Sequence, residues 1–206
     1  MPGAGGILAT QTLVIFTSDN GAGHKAGLPL FKSTGRFRGA KGEVYEGGIR
    51  VPMIARWPGR VPANRVSNEI VHVTDIYATL AKIAGANVPS DRPIDGVDQS
   101  DFLFGKNEKS AREGFVYYIK QELRAAKWRD WKLHFVWEVE PNAGPNHLET
   151  PWLFNLIQDP KEETDVSTEQ SWVRGPIRQM VQAFQESLRS NPPIPPGAPD
   201  SFIPAP

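Results

Sequence analysis

The chain has 206 residues, of which 39% are apolar and 22% charged, so it can bury a sizeable core and is not disordered by composition. Lys plus Arg and Asp plus Glu each number 23, and the resulting formal charge of zero gives no general reason to expect nucleic acid or an anionic membrane as a partner. The absence of cysteine excludes disulfides, thiolate metal sites and a cysteine nucleophile within this sequence.

The first part of the chain is predicted to contain two strands separated by a long loop. Residues 12–17, TLVIFT, are β-branched and aromatic and predict a buried strand, and residues 51–57, VPMIARW, predict a second one. Residues 18–50 between them are rich in Gly, Lys and Arg and show little periodicity. A loop of that length in a compact domain is usually functional or disordered.

A helix is predicted over residues 72–85, with Thr74 as its N-cap and Gly85 just past its end. Its apolar residues share one helical face: Val73, Ile76, Tyr77, Leu80, Ile83 and Ala84. Strand, loop, strand and helix together predict part of an α/β layer fold over residues 1–105.

Residues 106–206 are predicted to form a different unit, an antiparallel α+β subdomain. Four short strands are expected in a meander, at 114–119, 122–128, 131–138 and 152–157. A strongly amphipathic helix follows, and its stripe is expected to pack on the meander: Ile177, Met180, Val181, Phe184 and Leu188. The proline-rich tail from Asn191 onward must be extended.

Asp19 and Asn20 follow the first strand directly, and two interpretations of them remain open. In open α/β sheets ligands bind beyond the carboxyl ends of strands, and carboxylate and amide oxygens suit Ca²⁺ or Mg²⁺. The alternative is an ordinary turn, because Asp-Asn-Gly is a common turn string.

Lys41 lies in RFRGAKGEVYEGGIRVP, residues 36–52, among four glycines that would let the backbone approach a bound group closely. A lysine ammonium is a compact charge suited to a tetrahedral oxyanion. A solvated basic loop is the alternative, although the interleaved Tyr45, Ile49 and Val51 favour a function.

Several strings taken together resemble the type I sulfatases, arylsulfatase-like members of the alkaline phosphatase superfamily. The resemblance starts with SDNG and RGAKGEVYEGGIRVPMIARWPGRVP and continues through HVTDIYATLAKIAGA, LRAAKWRDWKLHF and WLFNLIQDPKEETDV. It covers about residues 12–206, in the order and spacing of the family's C-terminal portion. The fold it implies is a partial sulfatase sheet followed by the small antiparallel subdomain.

The resemblance also implies site residues. Asp19 and Asn20 match an Asp-Asn pair that binds Ca²⁺ in the family, and Lys41 matches the lysine that contacts sulfate. His24 is a weaker candidate, since it could face the sulfate or be a solvated loop residue. Arg38 and Arg50 are expected to orient the loop, whereas His72 and His134 are expected to be structural or surface residues.

Two parts of the family's site have no match in this sequence. There is no cysteine and no Ser-x-Pro-x-Arg string to give formylglycine, and the family's first Asp pair is also missing. We therefore expect the isolated chain to be inactive and to hold Ca²⁺ weakly or not at all. A second chain, or self-association through an open sheet edge, could complete it to act on a sulfate ester.

Alternative functions stay open from the sequence. They are hydrolysis of phosphonate or phosphate esters by a relative, a non-catalytic Ca²⁺-binding, oxyanion-binding or docking module, and an inactive truncated product. Neither nucleic acid nor a membrane is an expected partner, because there is no basic stripe with interleaved aromatics and no apolar run of about 18 residues. Members of the family are often periplasmic, secreted or lysosomal, but the opening MPGAGGILATQ is not a signal peptide and localisation stays unknown.

Overall fold

The computed structural model describes residues 9–23, 33–138, 144–193 and 197. The first sheet is a two-stranded antiparallel ribbon of β1, Val14–Phe16, and β2, Ile54–Arg56, with Phe16 opposite Ile54. The prediction of a buried first strand is wrong, since Val14 is 50% and Phe16 65% exposed. Only β2 pairs with β1 in the described part of the chain, and the outer face of the ribbon is uncovered.

The long loop between these strands contains one turn of helix, α1, Glu46–Ile49, which the sequence did not predict. The backbone amide of Arg50 closes this turn by donating to the Glu46 carbonyl at 2.7 Å. Residues 24–32, and with them the candidate His24, lie outside the described residues. Val44 and Tyr45, just before α1, pack on the second sheet and so fix the position of this part of the loop.

Helix α2, Asp75–Ala84, confirms the helix predicted here, and Gly85 ends it in the left-handed conformation with φ of 71°. Thr74 precedes the helix but makes no side-chain cap bond; its hydroxyl pairs with Nδ1 of His72 instead. An apolar helix face ordinarily lies against a core, yet Tyr77 and Leu80 are 53% and 42% exposed. The opposite face, with Asp75 at its start, is the one that packs on the rest of the chain.

The second sheet is the predicted meander, in the order β3-β4-β5-β6, with every pair antiparallel. The strands are β3, Gly114–Ile119, β4, Glu122–Trp128, β5, Trp131–Trp137, and β6, Asn146–Asn155. β6 begins six residues before the predicted Trp152, because it continues to pair with β5 past a bulge. A short helix, α3, Ser100–Leu103, lies in the connection from α2.

Helix α4, Arg174–Ser190, follows a 3₁₀ turn over Ser171–Val173 and packs on β3 and β4. Most of the predicted apolar stripe faces the sheet: Ile177 and Val181 share one buried core with sheet residues, and Met180 packs against it. Phe184 contacts Tyr118 of β3, whereas Leu188, also placed in the stripe, is 37% exposed. Mixed α/β structure with antiparallel sheets confirms the predicted fold class, whereas the predicted division at residue 105 stays a prediction. Within the described residues no helix has both the length and the apolarity needed to span a bilayer.

Candidate functional site

The turn after β1 displays two side-chain oxygens at the end of the strand. The Ser18 hydroxyl donates to the Asn20 carbonyl at 3.0 Å, which closes the turn. The Asn20 amide nitrogen donates to the Gly21 carbonyl at 3.2 Å, and this bond leaves the amide oxygen of Asn20 available to a ligand. The neighbouring Asp19 side chain is exposed. Both proposed metal ligands therefore lie in one turn at the surface.

Glycine packing docks this turn on α1. The Gly21 amide donates to the Gly48 carbonyl at 2.9 Å, and the Lys41 amide donates to the Ala22 carbonyl at 2.9 Å. A Cβ at Gly21 would lie 2.0 Å from the Gly47 carbonyl oxygen, so only glycine allows this approach. The backbones of the Asp19–Asn20 turn and of Lys41 are thus brought together, with the Lys41 side chain exposed.

The Lys41 loop is held by internal hydrogen bonds and by the side chain of Arg38. The Glu43 carboxylate accepts from the Ala40 amide at 2.6 Å, and the Gly47 amide donates to the Arg38 carbonyl at 2.7 Å. The Arg38 guanidinium lies 4.5 Å above the centre of the Tyr45 ring. These contacts fit the orienting role expected of Arg38.

Arg50 is fixed on the other side of α1. Its guanidinium donates to the Asn68 side-chain oxygen at 2.7 Å and lies 4.7 Å above the Phe37 ring. A cavity of about 470 Å³ opens beside it, lined among others by Asp19, Asn20 and Arg50. The cavity is also lined by Glu46 of α1, Tyr117 of β3 and Lys127 of β4.

Glu46 and Lys127 belong to a cluster of buried charges beneath α1. The Glu46 carboxylate, 1% exposed, is 2.7 Å from the Lys127 ammonium and 3.3 Å from the Lys132 ammonium. The Lys132 ammonium also donates to the Val44 carbonyl. Lys127 and Lys132 are directly opposite each other on β4 and β5, so two like charges face the same carboxylate.

Glu162 supplies the second carboxylate of the cluster from the loop after β6. One of its oxygens accepts from the Glu46 amide at 2.9 Å, and the other is 3.2 Å from the Lys132 ammonium. His134 Nε2 is 2.6 Å from the same second oxygen. Glu162, Lys132 and His134 are each fully buried.

The charge states follow from these neighbours. Burial opposes ionisation of Glu46, but the Lys132 and Lys127 ammonium groups outweigh it and lower the pKa of this carboxyl to about 2. Burial likewise opposes ionisation of Glu162, and Lys132 and His134 together still lower its pKa. Burial lowers the pKa of His134 despite the nearby Glu162 carboxylate. Near neutral pH the cluster therefore holds two carboxylates and a neutral imidazole beside the side chains of Lys127 and Lys132.

The donor set of the turn fits Ca²⁺ in kind but not in number. Asp19 and Asn20 offer hard oxygens, whereas Ca²⁺ takes six to eight. In the ranges that the structure describes, no group of three or more His, Asp or Glu side chains is placed to hold a metal. The turn alone would bind the ion weakly.

Comparison with known proteins assigns the family. Residues 8–86 match the family model described as Sulfatase, and residues 110–195 match the one described as the C-terminal region of aryl-sulfatase. The chain belongs to the sulfatase family. Its match lies in the C-terminal portion of sulfatases, which confirms the resemblance seen in the sequence.

Curated and solved sulfatases show the extent of the similarity. Steryl-sulfatase of Mus musculus is 34% identical, covering 96% of this chain and 35% of its own length. N-acetylgalactosamine-6-sulfatase of Sus scrofa is 34% identical, covering 88% of this chain and 39% of its own. The crystal structure of PsFucS1 sulfatase from Pseudoalteromonas sp. has a TM-score of 0.79 at 31% identity, covering 91% of this chain and 41% of that one. This sulfatase chain thus spans less than half the length of the relatives it matches.

The buried charge cluster was not identified from the sequence as a unit. Glu46 lies in the glycine-rich string KGEVYEGG, and Glu162 lies in QDPKEETDV, which resembles a solvated charged turn. One signal was present in this sulfatase sequence. The two-residue connection in KWRDWK places Lys127 opposite Lys132, and facing like charges require a nearby carboxylate.

Proposed function

We propose that this chain contributes metal-binding and sulfate-binding groups to the hydrolysis of a sulfuric ester. The observation that supports it is the docking of the Asp19–Asn20–Gly21 turn against α1, which brings the Lys41 segment beside the turn. Family membership supplies the reaction class. The sterol and sugar sulfatases among its relatives support a sulfate ester as the substrate class without selecting one alcohol.

Asp19 and Asn20 would hold Ca²⁺ through the Asp19 carboxylate and the Asn20 amide oxygen. The ion, when bound, withdraws negative charge from the sulfuryl oxygens and makes sulfur more electrophilic. The turn contributes rigidity, because the Gly21 amide and the Ala22 carbonyl are both bonded to the neighbouring loop. The Lys41 ammonium would bind a sulfate oxygen and stabilise charge that develops during transfer.

The remaining ligands and the nucleophile would come from a further polypeptide segment. The sequence contains no cysteine to become formylglycine. The exposed apolar side chains of the ribbon, Phe16 and Ile54, and those of α2, Tyr77 and Leu80, would pack on that segment, because uncovered apolar surface of this kind marks an interface. Pairing with the free edges of the β1–β2 ribbon would extend the sheet.

A chimera tests the catalytic part of the proposal. This chain would replace the matching portion of PsFucS1 sulfatase, and hydrolysis of p-nitrophenyl sulfate would be measured. We expect Lys41→Ala to lower kcat/KM about 10²-fold or more, because it removes a charged stabiliser of the sulfuryl group. The control Lys82→Ala changes a second exposed lysine, on α2, and should stay within about twofold of the parent.

Equal activity of Lys41→Ala and Lys82→Ala would contradict the proposed role of Lys41. Sustained hydrolysis by the chain without any partner would contradict the proposed need for completion. Comparing p-nitrophenyl sulfate with p-nitrophenyl phosphate on the active chimera separates the sulfatase from the phosphate ester alternative.

Calcium titration of the chain alone tests the metal ligands by calorimetry. We expect binding in the millimolar range or weaker, lost in Asp19→Asn, because only two side-chain oxygens are supplied. Micromolar binding that Asp19→Asn leaves unchanged would place the metal elsewhere and favour a separate Ca²⁺-binding module.

A further inference from the structure

Glu162 combines three features that rarely coincide in one residue. Its side chain is 0% exposed, its carboxylate is charged, and its backbone lies in the left-handed region with φ of 58°. Residues other than glycine, asparagine and aspartate seldom adopt this backbone conformation. Backbone strain of this kind persists only where the surrounding contacts over-determine it.

The contacts of Glu162 identify what determines it. Its Oε1 accepts the backbone amide of Glu46, the first residue of α1, at 2.9 Å. Its Oε2 contacts Lys132 and His134 of β5, at 3.2 and 2.6 Å. One carboxylate therefore joins α1 to the middle of the second sheet.

A continuous series of bonds leads from this carboxylate to the candidate site. Glu46 begins α1, and the next two residues are the glycines against which the turn is docked. The Gly47 amide donates to the Arg38 carbonyl at 2.7 Å, and the Gly48 carbonyl accepts the Gly21 amide at 2.9 Å. Gly21 directly follows Asn20, so three residues of α1 and two hydrogen bonds connect Glu162 to the Asp19–Asn20–Gly21 turn.

Charge balance adds a second constraint on α1. Lys127 and Lys132 face each other across β4 and β5, and the Glu46 carboxylate lies within 3.3 Å of both ammonium groups. Lys132 also pairs with Glu162, so its ammonium group is attracted to two carboxylates. Glu46 can therefore lie between Lys127 and Lys132 instead of moving toward Lys132. Removing the Glu162 charge would let α1 shift.

We propose that Glu162 is a positioning residue: through the Glu46 amide and Lys132 it fixes α1, and α1 in turn fixes the Asp19–Asn20–Gly21 turn. The region matched to the C-terminal region of aryl-sulfatase thereby sets the geometry of ligands that lie more than 140 residues earlier in the sequence. The catalytic meaning of this role rests on the proposed function; the ordering of the turn does not.

Amide hydrogen exchange of the whole chain, followed by NMR, measures that ordering directly. In Glu162→Gln we expect the amides of Gly21 and Gly47 to exchange about tenfold faster than in the parent, beyond any change shared by the amides of β4. The matched control Glu163→Gln makes the same chemical change at the adjacent, exposed position and should leave all of these rates within about twofold.

A uniform change over Gly21, Gly47 and β4, or no change at all, would overturn the proposal, because Glu162 would then stabilise only its own subdomain. Tyr117→Phe provides a milder variant if Glu162→Gln does not fold. The Tyr117 hydroxyl donates to Glu46 Oε1 at 3.4 Å, and its loss should speed the exchange of the Glu46 and Gly47 amides selectively, by about two- to fivefold.

Activity separates this proposal from the proposed function. In the chimera with PsFucS1 sulfatase, Glu162→Gln should lower kcat about tenfold while KM changes less than threefold, because the site loosens without losing a group that binds substrate. An inactive chimera with selective exchange at Gly21 and Gly47 would refute the proposed function alone. An active chimera with uniform exchange would refute the positioning role alone.

Discussion

Gly21 shows how one hydrogen atom in place of a side chain can determine where a turn packs. A Cβ here would meet the Gly47 carbonyl oxygen at 2.0 Å, a distance that only movement of backbone can relieve. The turn is therefore specified by its steric fit to α1 as much as by its own Asp-Asn-Gly string.

Gly21→Ala should separate the turn from α1 and lower the free energy of unfolding by about 1–3 kcal/mol, through backbone displacement and the lost bond to the Gly48 carbonyl. Gly23→Ala is the matched control, since a Cβ at Gly23 meets nothing within 4 Å and should change stability by less than about 0.5 kcal/mol. Urea unfolding of both variants makes the comparison, and equal stabilities would contradict the steric account.

Glu46 is a residue whose burial depends on its partners. Replacing it by Gln leaves Lys127 buried without its carboxylate, and Lys132 keeps only Glu162. We expect Glu46→Gln to cost about 3–5 kcal/mol of unfolding free energy, the range for breaking a buried ion pair on one side. Glu149→Gln is the control, because Glu149 is exposed on β6, and this change should leave the unfolding free energy nearly unchanged.

At the scale of the element, α2 lies within the predicted range 72–85, but its apolar face is the exposed one. The Asp75 carboxylate is 0% exposed and accepts from the Arg112 guanidinium at 2.5 Å and from the Val97 amide at 2.9 Å. Thr79 on the same face accepts the Gln99 amide at 2.9 Å. Because this polar face holds the helix in place, the apolar one is free to meet a partner.

Polar substitution on the outer face of α2 should therefore leave the chain stable. We expect Leu80→Ser to change the unfolding free energy by less than about 1 kcal/mol, whereas Asp75→Asn should cost about 2–4 kcal/mol because it breaks a buried, bidentate ion pair. Thermal unfolding of both variants checks the ranking. A larger loss in Leu80→Ser would mean that this face is already covered.

Short-range patterns predicted the elements well, and long-range contacts explain what they missed. The stripe Ile177, Val181 and Phe184 has helical spacing, and the meander strands follow from turn residues and β-branched runs, so both needed only local information. The burial of the Glu162 carboxylate has no local signal, because its partners, the Glu46 amide and the Lys132 ammonium, are far away in sequence. The turn at Asp19 was recognised, but its docking depends on glycines that spacing alone could not place.

At the scale of the whole molecule, the charge cluster makes stability depend on pH. The pKa of Glu46 is about 2 in the folded chain against an ordinary 4.5, so between these values the unfolded chain binds a proton that the folded chain does not. The pKa of Glu162 and the pKa of His134 are also lowered, and the sign is the same. Acid therefore favours unfolding. Below about pH 6.5 the unfolded chain gains a proton at His134, and at lower pH it gains protons at Glu46 and Glu162.

We expect the unfolding free energy to fall steadily from pH 7 to pH 3, with about 2 kcal/mol of that fall from Glu46. Urea unfolding at pH 7, 5 and 3.5 measures the slope. Glu46→Gln should flatten the part below pH 5, and Glu149→Gln should not. A constant stability over this range would show that the cluster is not ionised as the structure indicates.

The distances in sequence between the members of the cluster also bear on how the chain folds. Glu46 meets Lys127, Lys132 and Glu162 at separations of 81, 86 and 116 residues. Contacts so remote close large loops, and they contribute late in folding because their entropy cost precedes their gain. The two lysines, by contrast, face each other in a hairpin with a two-residue connection, which forms early. The Asp19–Asn20–Gly21 turn, which we propose binds the metal, would thus acquire its final shape last, once the completed sheet places two cations beside Glu46.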